Sequence, residues 1–136
     1  MSEVLTPSTA SLIVYTQSTQ KRAERALRCA PFRLSLWLRM RSESIPLPRL
    51  AGQEGLEQNF TRKSLTERRV ESELRWLIQV GLLRREVDGQ GITDSFRLTP
   101  LGKQLIQPWE ALGEVPKASW WERCQNQVRR WLSFSF

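Results

Sequence analysis

The middle of the chain carries an apolar stripe at helical spacing. We predict an α-helix over residues 64–80, in which Ser64 and Glu67 form the S-x-x-E pattern and each side chain satisfies the other's free backbone donor. Gly81 predicts the end of this helix, because glycine readily adopts the left-handed conformation after a last turn. The stripe consists of Val70, Leu74, Leu77 and Ile78.

Two short runs of alternating polarity follow this helix directly. Residues 83–87 and 92–98 predict two strands, since Phe96 and Leu98 share one face of the second run at the period of a pleated sheet. Residues 88–91 contain two glycines and predict a turn, because glycine supplies positive φ angles. The pattern therefore predicts a β-hairpin.

Helices are also predicted after the hairpin. Thr99 is expected to cap the first of them, with Pro100 in its first position and Pro108 ending it. After a link, a last amphipathic helix is predicted over residues 119–132. The apolar stripe of that last helix consists of Trp121, Cys124, Val128, Trp131 and Leu132.

The N-terminal part of the chain predicts an arm followed by a helix. Residues 1–17 are rich in Ser, Thr and Gln, and we expect them to form a flexible or loosely docked arm. A helix is predicted over residues 19–29, because its alanines and leucine repeat at helical spacing and Ser18 can act as its cap.

The segment PFRLSLWLRMR, residues 31–41, fits two structures. Its apolar residues alternate as in a strand, but Phe32, Leu36 and Met40 also lie four apart, and Pro31 suits the first position of a helix. We favour a helix, because residues 44–51 predict a short turn and a small helix rather than a partner strand.

Composition and charge narrow the function classes. A chain of 136 residues suggests one domain, and a formal net charge of +7 favours a polyanionic partner, which means nucleic acid or an anionic membrane surface. The excess is uneven: residues 21–49 contain eight basic and two acidic residues, whereas residues 50–80 contain five of each. The positive charge therefore lies on the first helices.

Missing residue types argue against catalysis and metal binding. The chain has no His, the usual general base and metal ligand, and Cys29 and Cys124 form no CxxC pair. We expect two packed free thiols, with a disulfide or a redox switch at Cys29 as alternatives. No secretion signal or spanning apolar stretch is recognisable, so we expect a cytoplasmic, non-enzymatic protein without a cofactor.

The order of helix, Gly-Leu-Leu, charged strand, turn, strand, Leu-Thr-Pro-Leu-Gly and helix resembles the winged helix-turn-helix domains of bacterial regulators such as the MarR and PadR families. The likeness rests on LIQVGLL (77–83) and FRLTPLGKQL (96–105). It implies a mainly α fold with a small β-hairpin wing and additional N- and C-terminal helices. We expect an arm (1–17), a winged-helix domain (18–107) and a link with a Trp-rich helix (108–136). The whole chain also resembles a small group of cyanobacterial proteins of this length.

The resemblance implies a DNA-binding transcriptional regulator that acts as a homodimer, with no small-molecule substrate. The helix before Gly81 would be the recognition helix, which enters the major groove. On that helix, Arg68, Arg69, Ser72 and Arg75 would approach the bases. The residues expected to hold phosphates are Arg62, Lys63, Arg22 and Arg25.

A non-enzymatic protein–protein adaptor is the alternative hypothesis. The helix at 64–80 has no excess of positive charge, and the turn region 87–95 contains two aspartates and no Lys or Arg, which weakens the attraction to phosphates. An adaptor could associate with a membrane surface through its C-terminal helix.

The aromatic C-terminal helix has three possible roles. Packing against the domain is the default, dimerisation is the second, and contact with an anionic membrane through Trp and Arg side chains is the third. The residues expected to bind a partner in the second or third case are Trp120, Trp121, Val128, Trp131 and Leu132.

Overall fold

The computed structural model describes residues 15–87 and 94–135. The predictions for most of the N-terminal arm, for the turn at 88–91 and for the start of the return strand at Ile92 lie outside these residues. The described part is mainly helical with a small antiparallel sheet, as expected. Its elements are α1 (Gln17–Cys29), α2 (Leu34–Met40), β1 (Ile45–Pro46), a 3-10 turn (Leu47–Arg49), α3 (Gly52–Glu57), α4 (Glu67–Gln79), β2 (Leu83–Val87), β3 (Asp94–Leu98), α5 (Pro100–Leu112) and α6 (Trp120–Ser135).

The first two helices confirm the predicted helices but not their starting points. The cap of α1 is Thr16, whose hydroxyl accepts from the Thr19 amide, and not Ser18. The ambiguous segment is the helix α2, which begins at Leu34 because Phe32 is held in a bridge with Thr61.

The central helix α4 starts later than predicted. Thr66, not Ser64, is its N-cap, and the Thr66 hydroxyl accepts from the Arg69 amide at 3.1 Å. The reason is tertiary: Leu65 is buried and its carbonyl accepts from the Gly52 amide, so the backbone before Thr66 stays extended. The predicted end of the helix is confirmed, because Gly81 has φ +90°.

The sheet has the strand order β1-β3-β2 with all pairs antiparallel. The predicted hairpin strands pair in register, with Arg85 opposite Phe96. The short turn and small helix predicted over residues 44–51 correspond to the 3-10 turn at Leu47–Arg49, but the segment also contains an unpredicted strand, because Ile45 pairs with Phe96 from the other side. Ile45 is fully buried, and Pro46 suits an edge strand because it has no amide hydrogen to donate.

Helix α5 begins as predicted, with Thr99 as its cap and Pro100 in the first turn. Pro108 does not end it: the helix continues to Leu112 and stops at Gly113, which has φ +80°. Pro108 is exposed while its neighbour Trp109 is buried, so packing of the aromatic ring holds the last turn on the core despite the proline.

The core lies between the sheet and the packed faces of α1, α2, α4 and α5. Trp37 is fully buried at its centre and meets Phe32 edge to face, with 5.6 Å between ring centroids. Gly102 brings α5 against the sheet: a Cβ there would lie 2.6 Å from Leu98 Cδ2 and 2.8 Å from the Leu82 carbonyl oxygen. The Leu-Thr-Pro-Leu-Gly motif therefore encodes both a helix cap and a close contact.

Candidate nucleic-acid interface

The outer face of α4 carries the arginines that remain accessible. Arg68 and Arg75 lie seven residues apart on the side opposite the buried Leu74 and Leu77. Arg68 forms no hydrogen bond or ion pair with any described residue, whereas Arg75 has a loose ion pair with Glu71, at 3.8 Å. Both guanidinium groups are therefore available to an external acceptor.

The other two predicted base-contacting residues, Arg69 and Ser72, are held in a cluster with Glu73 of the same helix and Arg130 of α6. Arg69 Nε donates to Glu73 Oε2 at 2.9 Å, and Arg130 Nη1 donates to Glu73 Oε1 at 3.1 Å. Arg130 Nη2 also donates to Ser72 Oγ at 2.7 Å. Glu73 is only 7% exposed, so two arginines neutralise a nearly buried carboxylate. The sequence could not show this, because Arg130 comes from a distant helix.

Arg62 and Lys63 are exposed just before α4. Arg62 also lines an open cleft of about 520 Å³, together with Arg33 from the start of α2 and Lys117 from the link before α6. Glu114 is the acidic residue in that lining. The meeting of Arg33, Arg62 and Lys117 could not be predicted from the sequence, because residues distant in the chain meet only after folding.

Arg22 and Arg25 lie on α1, where both are half-buried. Arg22 Nε is buried and has no hydrogen-bond partner among the described atoms. Both arginines lie on a different helix from the arginines of α4.

The hairpin carries arginines on its strands, which the sequence analysis did not single out. Arg84 and Arg97 both pair with Glu86, and Arg85 lies 3.8 Å from Asp94. The sequence feature that could have indicated them is the charged run LLRREV, residues 82–87. The three arginines of the described hairpin residues thus face two acids, because Arg84 and Arg97 share the carboxylate of Glu86, and these acids offset most of the positive charge.

Helix α6 turns its polar face toward the domain. Glu122 pairs with Arg28 of α1, and Trp76 Nε1 donates to Asn126 Oδ1 at 2.9 Å. Arg130 completes this series through its bonds to α4. These three α6 residues lie four apart, so they form one face of the helix.

The N-terminus of α6 is fixed by a reciprocal cap. The Glu122 amide donates to Ser119 Oγ, and the Ser119 amide donates to Glu122 Oε1 at 2.9 Å. The backbone hydrogen bond from Ser119 lowers the pKa of the Glu122 carboxyl below its ordinary value, and Arg28 lowers it further. Glu122 therefore stays ionised at neutral pH.

The apolar face of α6 points to solvent, so the default expectation that its aromatic residues pack against the domain is wrong. Trp121 is 70% exposed and Val128 is 56% exposed. The physical reason is that Glu122, Asn126 and Arg130 occupy the side facing α1 and α4. The exposed apolar residues of α6 are Trp120, Trp121, Val128, Trp131 and Leu132.

Cys29 and Cys124 are free, half-buried thiols. Burial raises the pKa of the Cys29 thiol, although Arg123 and Arg28 act in the opposite direction. A raised pKa keeps the Cys29 thiol protonated at neutral pH, which argues against the redox switch considered at this position. Among the described residues, no three His, Cys, Asp or Glu side chains cluster as metal ligands would.

Within the described ranges, none of the helices has the length and hydropathy needed to cross a bilayer. A family model described as Npun_F0494-like matches residues 13–130, which include α1 to α5 and most of α6. No curated protein matches the chain, and no solved structure matches it. The family match is consistent with the likeness to a small cyanobacterial group, and with residues 13–130 covered the chain belongs to the Npun_F0494-like family.

Proposed function

We propose that this protein is a winged helix-turn-helix regulator that binds duplex DNA through the outer face of α4. The observation that carries the proposal is that α4 buries Leu74 and Leu77 and presents Arg68 and Arg75 on its opposite side. Gly81 connects this helix directly to the hairpin β2–β3, which supports the role of a wing. Such a helix fits the major groove, where arginine recognises guanine.

Charge before α4 supports the same function. Arg62 and Lys63 are exposed where the chain enters the helix, and the first turn of a helix attracts phosphate. Arg33 and Lys117 extend this positive surface along the cleft that Arg62 lines. In our proposal these four residues hold phosphates, while Arg68 approaches the bases.

Arg69 and Ser72 have a different role in this proposal. Because both are engaged in the Glu73–Arg130 cluster, they position α4 against α6 instead of contacting bases. Substitution of Ser72 should therefore affect stability more than DNA affinity. Arg68 and Arg75 remain as the two residues of α4 that are available to contact DNA.

Binding of the full chain to random-sequence duplex DNA at increasing salt tests the proposal. A protein with several phosphate contacts loses affinity steeply with salt, by about a factor of 10³ between 50 and 200 mM for six contacts. The variant Arg68→Ala/Arg75→Ala should bind at least roughly tenfold more weakly. Lys103→Ala is the matched control, because Lys103 is exposed on α5. Absence of DNA binding by the unmodified protein at low salt would overturn the proposal.

A protein–protein adaptor is the second candidate, and the charge balance of α4 favours it. Glu67, Glu71 and Glu73 offset the three arginines of the helix, and the hairpin arginines are paired. DNA binding that is undetectable or insensitive to salt would place this candidate first.

A further inference from the structure

Helix α6 presents a continuous apolar strip to solvent. At 100° per residue, Trp121, Val128 and Leu132 fall within about 40° of one another around the helix axis. All three are exposed, as are Trp120 and Trp131 beside them. We propose that this strip docks the protein on the surface of an anionic lipid bilayer.

The strip cannot turn inward without breaking the contacts that attach α6. Rotation would separate Glu122 from Arg28, Asn126 from Trp76 and Arg130 from Glu73. Glu73 and the Trp76 indole are nearly buried, and a buried polar group that loses its partner is costly. The apolar strip is therefore a fixed surface of the folded domain.

The chemistry of the strip fits the interface of a bilayer. Tryptophan and the aliphatic residues insert shallowly, with the helix lying in the plane of the membrane. On the helical wheel, Arg129 lies about 60° from Leu132, and Arg123 lies about 60° from Trp120 on the other side, toward the face that meets α1. Both arginines are exposed. An apolar surface bordered by one arginine on each side matches acyl chains beneath anionic headgroups.

Charge also distinguishes a bilayer from a second copy of the chain. Glu122 is the one acidic residue between Trp120 and Ser135, and it is bound to Arg28 and Ser119. Two α6 helices that paired through their strips would bring together two positively charged segments, with no free acid on either helix to offset that charge. Anionic lipid provides the missing negative charge. This inference is independent of DNA binding.

The test is flotation of the full chain with vesicles of phosphatidylcholine alone or mixed with phosphatidylglycerol. We expect binding to the mixed vesicles and a blue shift of tryptophan emission. Arg123→Ser/Arg129→Ser should reduce binding by about thirtyfold, since each cation near an anionic surface contributes about fivefold. Trp121→Ser/Val128→Ser/Leu132→Ser should abolish the blue shift.

Two controls make the result decisive. Val87→Ser/Leu112→Ser removes two exposed apolar side chains elsewhere and should bind like the unmodified protein. Circular dichroism of each variant reports folding, and all substituted positions are exposed. No binding to mixed vesicles would overturn the inference. So would a dimer in sedimentation that the triple serine variant converts to a monomer, because the strip would then be a protein interface.

Discussion

Helices α4 and α6 are both amphipathic, yet they bury opposite faces. Helix α4 places Leu74 in the core and its arginines outside, whereas α6 places Asn126 inside and Trp121 outside. The difference lies in what each helix meets. The core offers α4 an apolar surface, but the back of α4 offers α6 the Trp76 N–H and the Glu73 carboxylate, which require polar partners.

An apolar stripe therefore identifies the two faces of a helix but does not show which of them is buried. Burial of an apolar face is favoured by area, while burial of a polar face depends on a few specific bonds, each with a net contribution of about 1 kcal/mol. Helix α6 is attached through such specific polar bonds. Its attachment should therefore respond to single substitutions and to pH in ways that α4 does not.

The largest expected effect is the difference in stability between removing an apolar side chain from α4 and removing one from α6. Leu74→Ala should lower the free energy of unfolding by about 3 kcal/mol, because it leaves a cavity at a fully buried position. Val128→Ala should change it by less than about 0.5 kcal/mol, since Val128 is exposed. Urea denaturation of both variants measures the difference. Equal destabilisation would mean that the apolar face of α6 is packed.

The next effect concerns the polar face of α6. Glu73→Ala should destabilise the protein by about 2 kcal/mol, because it leaves the half-buried Arg130 without its carboxylate. A double-mutant cycle with Arg130→Ala should give a coupling energy of about 1 kcal/mol. Additive effects of the two substitutions would contradict the contact. Arg75→Ala, on the exposed face of α4, is the matched control.

A smaller effect tests where α4 begins. Thr66→Ala should cost about 1 kcal/mol, because the hydroxyl caps the Arg69 amide. Ser64→Ala should cost less than about 0.5 kcal/mol, because Ser64 is exposed and lies before the cap. Thermal unfolding followed by circular dichroism compares them. If Ser64→Ala were more destabilising than Thr66→Ala, Ser64 would be the cap, as the S-x-x-E pattern indicates.

The smallest effect is a pH dependence that belongs to α6. The folded state lowers the pKa of Glu122, so the ionised carboxylate stabilises the fold above its ordinary pKa of about 4.5, and this contribution is lost as pH falls through the lower folded value. Glu122→Gln should therefore flatten the decline of stability in acid. The measurement is urea denaturation at a series of pH values below about 5. Glu110→Gln controls for the other carboxyl whose pKa is lowered, through Arg41.

Local signals in the sequence predict the end of α4, the pairing of β2 with β3 and the start of α5. Gly81 ends one helix and Thr99 caps the next, and both effects depend on neighbouring residues alone. Long-range contacts decide the failures. Leu65 is anchored by Gly52, which moves the cap from Ser64 to Thr66.

The same local reasoning predicts only half of the candidate site. Arg68 and Arg75 are exposed, as helical periodicity indicates for positions opposite the stripe. The engagement of Arg69 and Ser72 was hidden, because Arg130 is 57 residues from Glu73 and 58 from Ser72. The orientation of α6 was hidden for the same reason. An amphipathic pattern alone does not show which face of a helix is buried, because that depends on the surface against which the helix packs.

Position 102 has room for glycine but not for a residue with a side chain. An added methyl group there meets the carbonyl oxygen of Leu82 at 2.8 Å, and that oxygen belongs to the backbone, which cannot rotate away as a side chain can. Any larger residue would act as a wedge and tilt the helix that starts at Pro100 away from the strand pair. The close packing of this helix against the strand pair therefore depends on the lack of a side chain at position 102.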